Sequence, residues 1–180
     1  MVWPSAENLN NLNLSTSVNR IPSGDSFKEY FDKPAGVEHY RLLTWLGFEF
    51  FNKHIVEVGV YKGLSGCALS TNITNSVTGF DVIDNITCDL PENYTVFFGN
   101  VLQNERIIKK ASLILYDTNH DGVLEKQFYD WLKQINYKGL IIFDDIYLNN
   151  EMKEFWNYID CKKEDISHIG HITGTGAVWM

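Results

Sequence analysis

The sequence predicts an α/β protein with a doubly wound, mostly parallel sheet, and two observations support this class. Short apolar runs rich in Val, Ile and Leu alternate with segments of helical period over residues 36–180. Alternation of that kind produces parallel strands joined by right-handed helical crossovers. A turn with two glycines also follows the first predicted strand, at the position where open α/β sheets bind their ligands.

Residues 36–180 are predicted to form one domain, and residues 1–35 a partly irregular N-terminal arm. Residues 1–19 are rich in Asn and Ser, so we expect an extended or poorly ordered segment there. In the domain we expect strands near 54–59, 77–82, 95–98, 112–116 and 139–143, and helices near 36–52, 64–72, 102–109, 122–136 and 151–159. Residues 168–180 suggest a closing antiparallel hairpin. The result is a Rossmann-like sheet of seven strands.

Composition argues against several classes of protein. The formal net charge is −8, which argues against nucleic-acid binding, because phosphate contacts need a basic surface. The scattered cysteines Cys67, Cys88 and Cys161 fit neither a disulfide framework nor a zinc site. No apolar run approaches the ~20 residues that span a bilayer, and no signal-peptide pattern is visible. We therefore expect a cytoplasmic protein without a membrane partner.

The segment 53–65, KHIVEVGVYKGLS, joins the first strand to the first helix of the sheet. A strand, a glycine turn and a helix N-terminus form a cradle for a nucleotide-like ligand. Dinucleotide binding requires G-x-G-x-x-G, whereas Glu57, Gly59 and Gly63 here give E-x-G-x-x-x-G. This pattern resembles motif I of the class I S-adenosylmethionine (SAM) methyltransferases, and the resemblance implies SAM as cofactor. An ordinary strand-to-helix turn remains the alternative.

Polar residues at the ends of the next strands extend this predicted cofactor site. Asp81 ends the second strand, where a carboxylate can accept both ribose hydroxyls, as an acid does at this place in the methyltransferases. Asn100 could offer its amide to the adenine edge, although it could also be a turn residue. The predicted cofactor-binding residues are Glu57, Gly59, Tyr61, Gly63, Ser65, Asp81, Asn100 and Asp117.

Three carboxylates are predicted to meet at the ends of strands four and five. Asp117 follows one strand and Asp144 and Asp145 follow the other, and clustered carboxylates need a cation because they repel one another. Oxygen ligands suit Mg²⁺, Ca²⁺ or Mn²⁺ better than zinc. The alternative is that Asp144 or Asp145 only caps the next helix.

A second, sharper resemblance involves LYDTNHDGVLEKQFYDWL and GLIIFDDIY. Both segments are similar to the metal-dependent small-molecule O-methyltransferases, and most of all to the macrolide deoxysugar group. The resemblance implies Mg²⁺ or Mn²⁺ on Asp117, Asp144 and Asp145, with His120 as the base and Asp117 beside it as a catalytic residue. A structural role for His120 is the alternative. The sugar enzymes are longer at the N-terminus, which leaves the identity of the acceptor open.

The sequence therefore predicts a SAM- and divalent-metal-dependent O-methyltransferase that acts on a sugar hydroxyl or another small polyhydroxylated molecule. Two alternatives remain, a nicotinamide-dependent oxidoreductase and a methyltransferase-like binding module without activity. The first needs a third loop glycine that is missing, and the second predicts a degraded site. Membership of a larger glycan-modifying protein and assembly into an oligomer are both left open.

Overall fold

The computed structural model describes all 180 residues, Met1 to Met180. Seven strands form one sheet, and their bounds are β1 His54–Val58, β2 Ser76–Asp81, β3 Tyr94–Phe98, β4 Leu113–Tyr116, β5 Leu140–Asp144, β6 Lys162–Asp165 and β7 Thr175–Trp179. Their order across the sheet is β3-β2-β1-β4-β5-β7-β6. The first five strands are mutually parallel, and β7 runs antiparallel to both β5 and β6. The predicted fold class is confirmed.

Seven α helices surround the sheet, together with 3-10 turns at Ser26–Asp32 and Val101–Gln103. The helices are α1 Ala6–Asn10, α2 Ser15–Val18, α3 Tyr40–Glu49, α4 Leu64–Leu69, α5 Glu105–Ile108, α6 Val123–Gln134 and α7 Asn150–Tyr158. No helix is both long enough and apolar enough to cross a membrane. All ten strands and helices predicted for residues 36–159 are present, and each of their bounds lies within four residues of the prediction.

The sheet is buried on both faces, because alternate residues of each strand point to opposite sides. Ile55 and Leu113 pack against α3, α4 and the N-terminal helices. Val56 and Ile114 pack against α6 and α7 on the other face. Continuous apolar strands are typical of parallel sheets covered on both faces, and this explains why β1 and β4 lack an alternating sequence pattern.

Two predictions about the chain ends are wrong in detail. The N-terminal segment is not extended or poorly ordered, because α1 and α2 form there and Leu9 is fully buried in the core. The closing hairpin begins earlier than expected, at Lys162, and residues 166–174 are the connection between β6 and β7. The N-terminal segment is held in place by buried apolar residues. These residues are too widely spaced along the chain to form one amphipathic pattern, so the sequence did not predict an ordered segment.

Candidate functional site

A cavity of about 710 Å³ lies at the carboxyl ends of the central strands, the expected position for a ligand in this architecture. Its volume falls within the usual range of small-molecule sites. Six predicted cofactor-binding residues line it, namely Gly59, Tyr61, Ser65, Asp81, Asn100 and Asp117. The other two, Glu57 and Gly63, do not line the cavity.

The glycine loop packs so closely that its two glycines cannot carry side chains. A Cβ on Gly59 would lie 1.6 Å from the backbone oxygen of Asp117, and Gly59 has φ +91°. A Cβ on Gly63 would lie 2.7 Å from Cys88 Sγ, and Gly63 has φ +87°. Both glycines therefore allow close packing between the loop and its neighbours, whereas a phosphate-binding glycine leaves space for the ligand.

Asp81 holds the glycine loop in place with its carboxylate. One oxygen accepts the backbone N–H groups of Val60 and Tyr61 at 2.8 Å each. The other oxygen accepts those of Val82 at 2.7 Å and Ile83 at 3.1 Å. Asp81 thus joins the end of β2 to the loop after β1, in addition to facing the cavity.

Glu57 is completely buried on β1, immediately before two residues that line the cavity. Tyr94 donates a hydrogen bond to its Oε2, whereas Oε1 is buried without a partner. Burial raises the pKa of Glu57 to about 8, against the opposing effect of the Tyr94 and Ser65 hydroxyls. With this pKa the Glu57 carboxyl group holds a proton at neutral pH and is buried without a charge.

The N-terminal residues 1–35 contribute to the site in a way that the sequence did not predict. Phe27 lines the cavity, as does Tyr40 at the start of α3. Lys62 of the glycine loop pairs with Asp25 at 3.1 Å, and its ammonium lies 4.0 Å from the centre of the Phe27 ring. The N-terminal segment therefore contacts the glycine loop through Asp25 and Phe27 and holds Lys62 in place.

Asn100 lines the cavity and also organises the backbone after β3. Its side-chain oxygen accepts the N–H of Leu102 at 2.9 Å and so caps the following 3-10 turn. The turn interpretation of this residue is confirmed, and its amide NH₂ group remains for a ligand.

His120 lies between two of the predicted metal-binding carboxylates. Its Nε2 is 3.2 Å from Asp117 Oδ1 and 3.3 Å from Asp145 Oδ2. The backbone is held on both sides, since Glu125 accepts the His120 N–H and Asn149 donates to its carbonyl. Burial lowers the pKa of His120, but the hydrogen bond and charge of Asp117 outweigh burial and leave the pKa raised.

Asp144 is buried and contacts two histidines that the sequence analysis did not identify. His39 Nδ1 lies 2.9 Å from Asp144 Oδ2, and His171 Nδ1 lies 3.4 Å from the same oxygen. Burial raises the pKa of Asp144, but the charge of His39 and the hydrogen bonds from both histidines outweigh it and hold the pKa well below its usual value. His171 also lies 2.9 Å from Asp145 and 3.6 Å from Glu38.

The capping interpretation of Asp144 and Asp145 is wrong. Helix α7 has Asn149 as its N-cap, and the Asn149 side chain accepts the N–H of Met152 at 2.8 Å. The two aspartates instead face the histidines. His39 precedes α3, and His171 lies in the connection before β7. Both positions lie outside the strand ends that the sequence analysis searched for functional residues.

Comparison with known proteins gives similarity in structure but not in sequence. No protein-family model matches the chain, and no curated protein matches it. A Staphylococcus aureus protein described as a caffeoyl-CoA O-methyltransferase superposes with a TM-score of 0.60 at 15% identity, covering 99% of this chain and 93% of that chain. The O-methyltransferase TomG of Streptomyces achromogenes, solved with SAM, gives 0.59 at 12% identity over 99% and 100%. The S-adenosylhomocysteine-bound methyltransferase PaMTH1 of Podospora anserina gives 0.57 at 14% over 99% and 89%.

The chain has the SAM-dependent methyltransferase fold. The neighbours match it along nearly its whole length, so the N-terminal residues that the sequence analysis set apart also have counterparts in the superposed chains. The cavity beside Gly59 and Asp81 lies where open α/β sheets bind their ligands.

The residues of this methyltransferase fold suit both groups that the resemblance implies. The cavity volume suits a ligand of nucleoside size. Asp117 and Asp145 both contact His120, and carboxylates suit a divalent cation. The donor atoms that lie within 4.8 Å of one another are those of His39, Asp144 and His171, and not those of the three predicted aspartates. In the structure, positive charge at this rim of the sheet comes from imidazoles. Burial lowers the pKa of His39, but the charge and hydrogen bond of Asp144 outweigh burial and raise the pKa to about 9.

Proposed function

We propose that the protein is a SAM-dependent O-methyltransferase that uses a divalent cation and methylates a hydroxyl of a sugar or another small polyhydroxylated molecule. The observation that carries this proposal is the placement of His120 between Asp117 and Asp145, beside a cavity that contains the SAM-type glycine loop. A fold alone supports many chemistries, so the proposal depends on this site.

SAM would occupy the cavity through groups that the fold has already positioned. Asp81 would accept the ribose hydroxyls, and Asn100 would offer its amide to the adenine edge. Gly59 allows the loop backbone to pack on Asp117, and Tyr61 and Ser65 complete the wall. Glu57 and Gly63 support this wall from behind, since neither lines the cavity.

Transfer of a methyl group from sulfur to oxygen releases one proton, and His120 is placed to accept it. In the structure His120 Nε2 faces the carboxylates of Asp117 and Asp145, and it would be free for the proton when these carboxylates hold the cation instead. Asp117, Asp144 and Asp145 would hold the cation, which supplies positive charge that lowers the pKa of a nearby hydroxyl. Much of the remaining rate enhancement would come from positioning the two reactants.

The test has two steps. Calorimetry with purified protein should give one bound SAM per chain, and NAD⁺ under the same conditions should not bind. Incubation with SAM, Mg²⁺ or Mn²⁺ and a panel of sugars and polyols should then give a methylated product by mass spectrometry. If the protein binds NAD⁺ and does not bind SAM, the oxidoreductase alternative replaces the proposal. If it binds SAM but forms no methylated product, the result favours a binding module without activity.

A further inference from the structure

Asp144 is bracketed by two histidines that come from opposite ends of the domain. His39 precedes α3, and His171 lies in the connection between β6 and β7. Each of the three residues can offer one ligand atom such that all three atoms lie within 4.8 Å of one another. His39 and Asp144 are buried and His171 is partly buried, so the group forms an enclosed set of donors.

We propose that His39, Asp144 and His171 form a mixed imidazole–carboxylate site for a first-row transition-metal dication, with Mn²⁺ bound in preference to Mg²⁺. Imidazole nitrogen is a good ligand for such ions, whereas Mg²⁺ selects oxygen donors and retains water. Metal–ligand bonds of about 2.0–2.2 Å place neighbouring donors closer together than 4.8 Å. Small side-chain movements would therefore bring all three onto one ion.

The surroundings of two of these donors, His171 and Asp144, resemble the outer shell of protein metal sites, whereas His39 Nε2 is buried without a partner. Metal-bound imidazole usually offers its second ring nitrogen to a carboxylate or carbonyl. His171 does this, because its Nδ1 faces Asp144 while its Nε2 lies 3.6 Å from Glu38. Thr175 lies 3.3 Å from the other oxygen of Asp144, so that carboxylate is also oriented.

This inference rests on the same Asp144 that would hold the cation of the proposed methyl transfer, so a single ion at Asp144 would serve both proposals, but it needs neither SAM nor an acceptor. It is therefore tested on cofactor-free protein. If Mn²⁺ does not bind through the histidines, the tests of SAM binding and methyl transfer are still to be decided. If no methyl transfer is found, the Mn²⁺ measurement is unaffected.

The experiment is a Mn²⁺ titration of chelator-treated, dialysed protein, followed by electron paramagnetic resonance. We expect one Mn²⁺ per chain, with nitrogen modulation from imidazole in the spin-echo spectrum of the wild type. A tenfold excess of Mg²⁺ over Mn²⁺ should not displace it. His39→Ala and His171→Ala should each weaken Mn²⁺ binding by more than the roughly 10–100-fold lost with an outer-shell partner. The control His168→Ala changes an exposed histidine three residues from His171 and should bind as the wild type does.

Several results would overturn the proposal. Bound Mn²⁺ without nitrogen modulation, or ready displacement by Mg²⁺, would assign the ion to the carboxylates alone. Unchanged Mn²⁺ affinity in both histidine variants would also assign the ion to the carboxylates alone. If no Mn²⁺ binds at millimolar concentration, the cluster is a set of buried ion pairs and not a metal site. Circular dichroism would establish that the variants fold, and the spin-echo result on wild-type protein decides the question if they do not.

Discussion

Replacement of Asp81 by alanine should separate a structural role from a cofactor-binding role in one residue. The carboxylate accepts four backbone N–H groups around the glycine loop. In Asp81→Ala the exposed N–H groups of Tyr61, Val82 and Ile83 can bond to water, but Val60 is only 2% exposed. A buried donor without a partner costs about 1–3 kcal/mol.

For a chain of this size, a loss of about 2 kcal/mol lowers the Tm by roughly 4–8 °C, which differential scanning calorimetry without SAM would measure. If the carboxylate also binds ribose, the variant should lose a further ~1–3 kcal/mol of SAM affinity, or roughly 5–150-fold in Kd. Isothermal titration calorimetry would measure this second effect separately.

Asp84→Ala is the matched control for this experiment. Asp84 is exposed, lies on the same connection, and accepts a single N–H, that of Ile86 at 3.2 Å. We expect its Tm and SAM affinity to stay near wild type. An Asp81→Ala protein with unchanged Tm would refute the structural role, and unchanged SAM affinity would remove Asp81 from the ribose site.

Three further predictions concern the rim and the buried strand. His120→Ala should retain SAM binding but lose about 10²–10⁴-fold in kcat, together with the low-pH limb of the pH–rate profile; near-normal turnover would make His120 structural. Excess chelator should abolish methyl transfer while calorimetry still detects bound SAM, and full activity in chelator would exclude a metal requirement. Burial raises the pKa of Glu57 to about 8 from its usual value of 4.5. The folded protein therefore holds a proton that the unfolded chain releases, and stability should fall as pH rises from about 4.5 to 8. Thermal melts of Glu57→Gln should show a smaller fall over that range than wild-type melts, and parallel curves would contradict the shift.

The sequence determined the elements whose signal is local. The β-branched run of β1, the 3.6-residue period of α6 and the glycines of the loop are features that neighbouring residues impose on each other. Because parallel strands present their carboxyl ends at one edge, the predicted parallel sheet also implied that Asp81, Asp117 and Asp144 would share a rim. For this reason the position of the candidate site could be predicted before the structure was known.

The N-terminal segment could not be predicted in the same way. Helices as short as α1 and α2 are marginal on their own, and they form here because Leu9, Ile21 and Phe31 pack into the core beside α3 and α4. The same packing brings Phe27 to the cavity. Local composition indicated disorder, and tertiary contacts outweighed it.

The sequence by itself determined the sheet, the glycine loop and the acidic strand ends, because each depends on period, turn chemistry or strand order. Only the tertiary structure brought His39 and His171 to Asp144 and left Glu57 buried with one oxygen unpartnered. These contacts join residues more than 25 positions apart and follow from how the N-terminal segment and the β6–β7 connection fold over the rim. Side-chain contacts across such distances depend on packing in three dimensions, and no spacing along the chain encodes them.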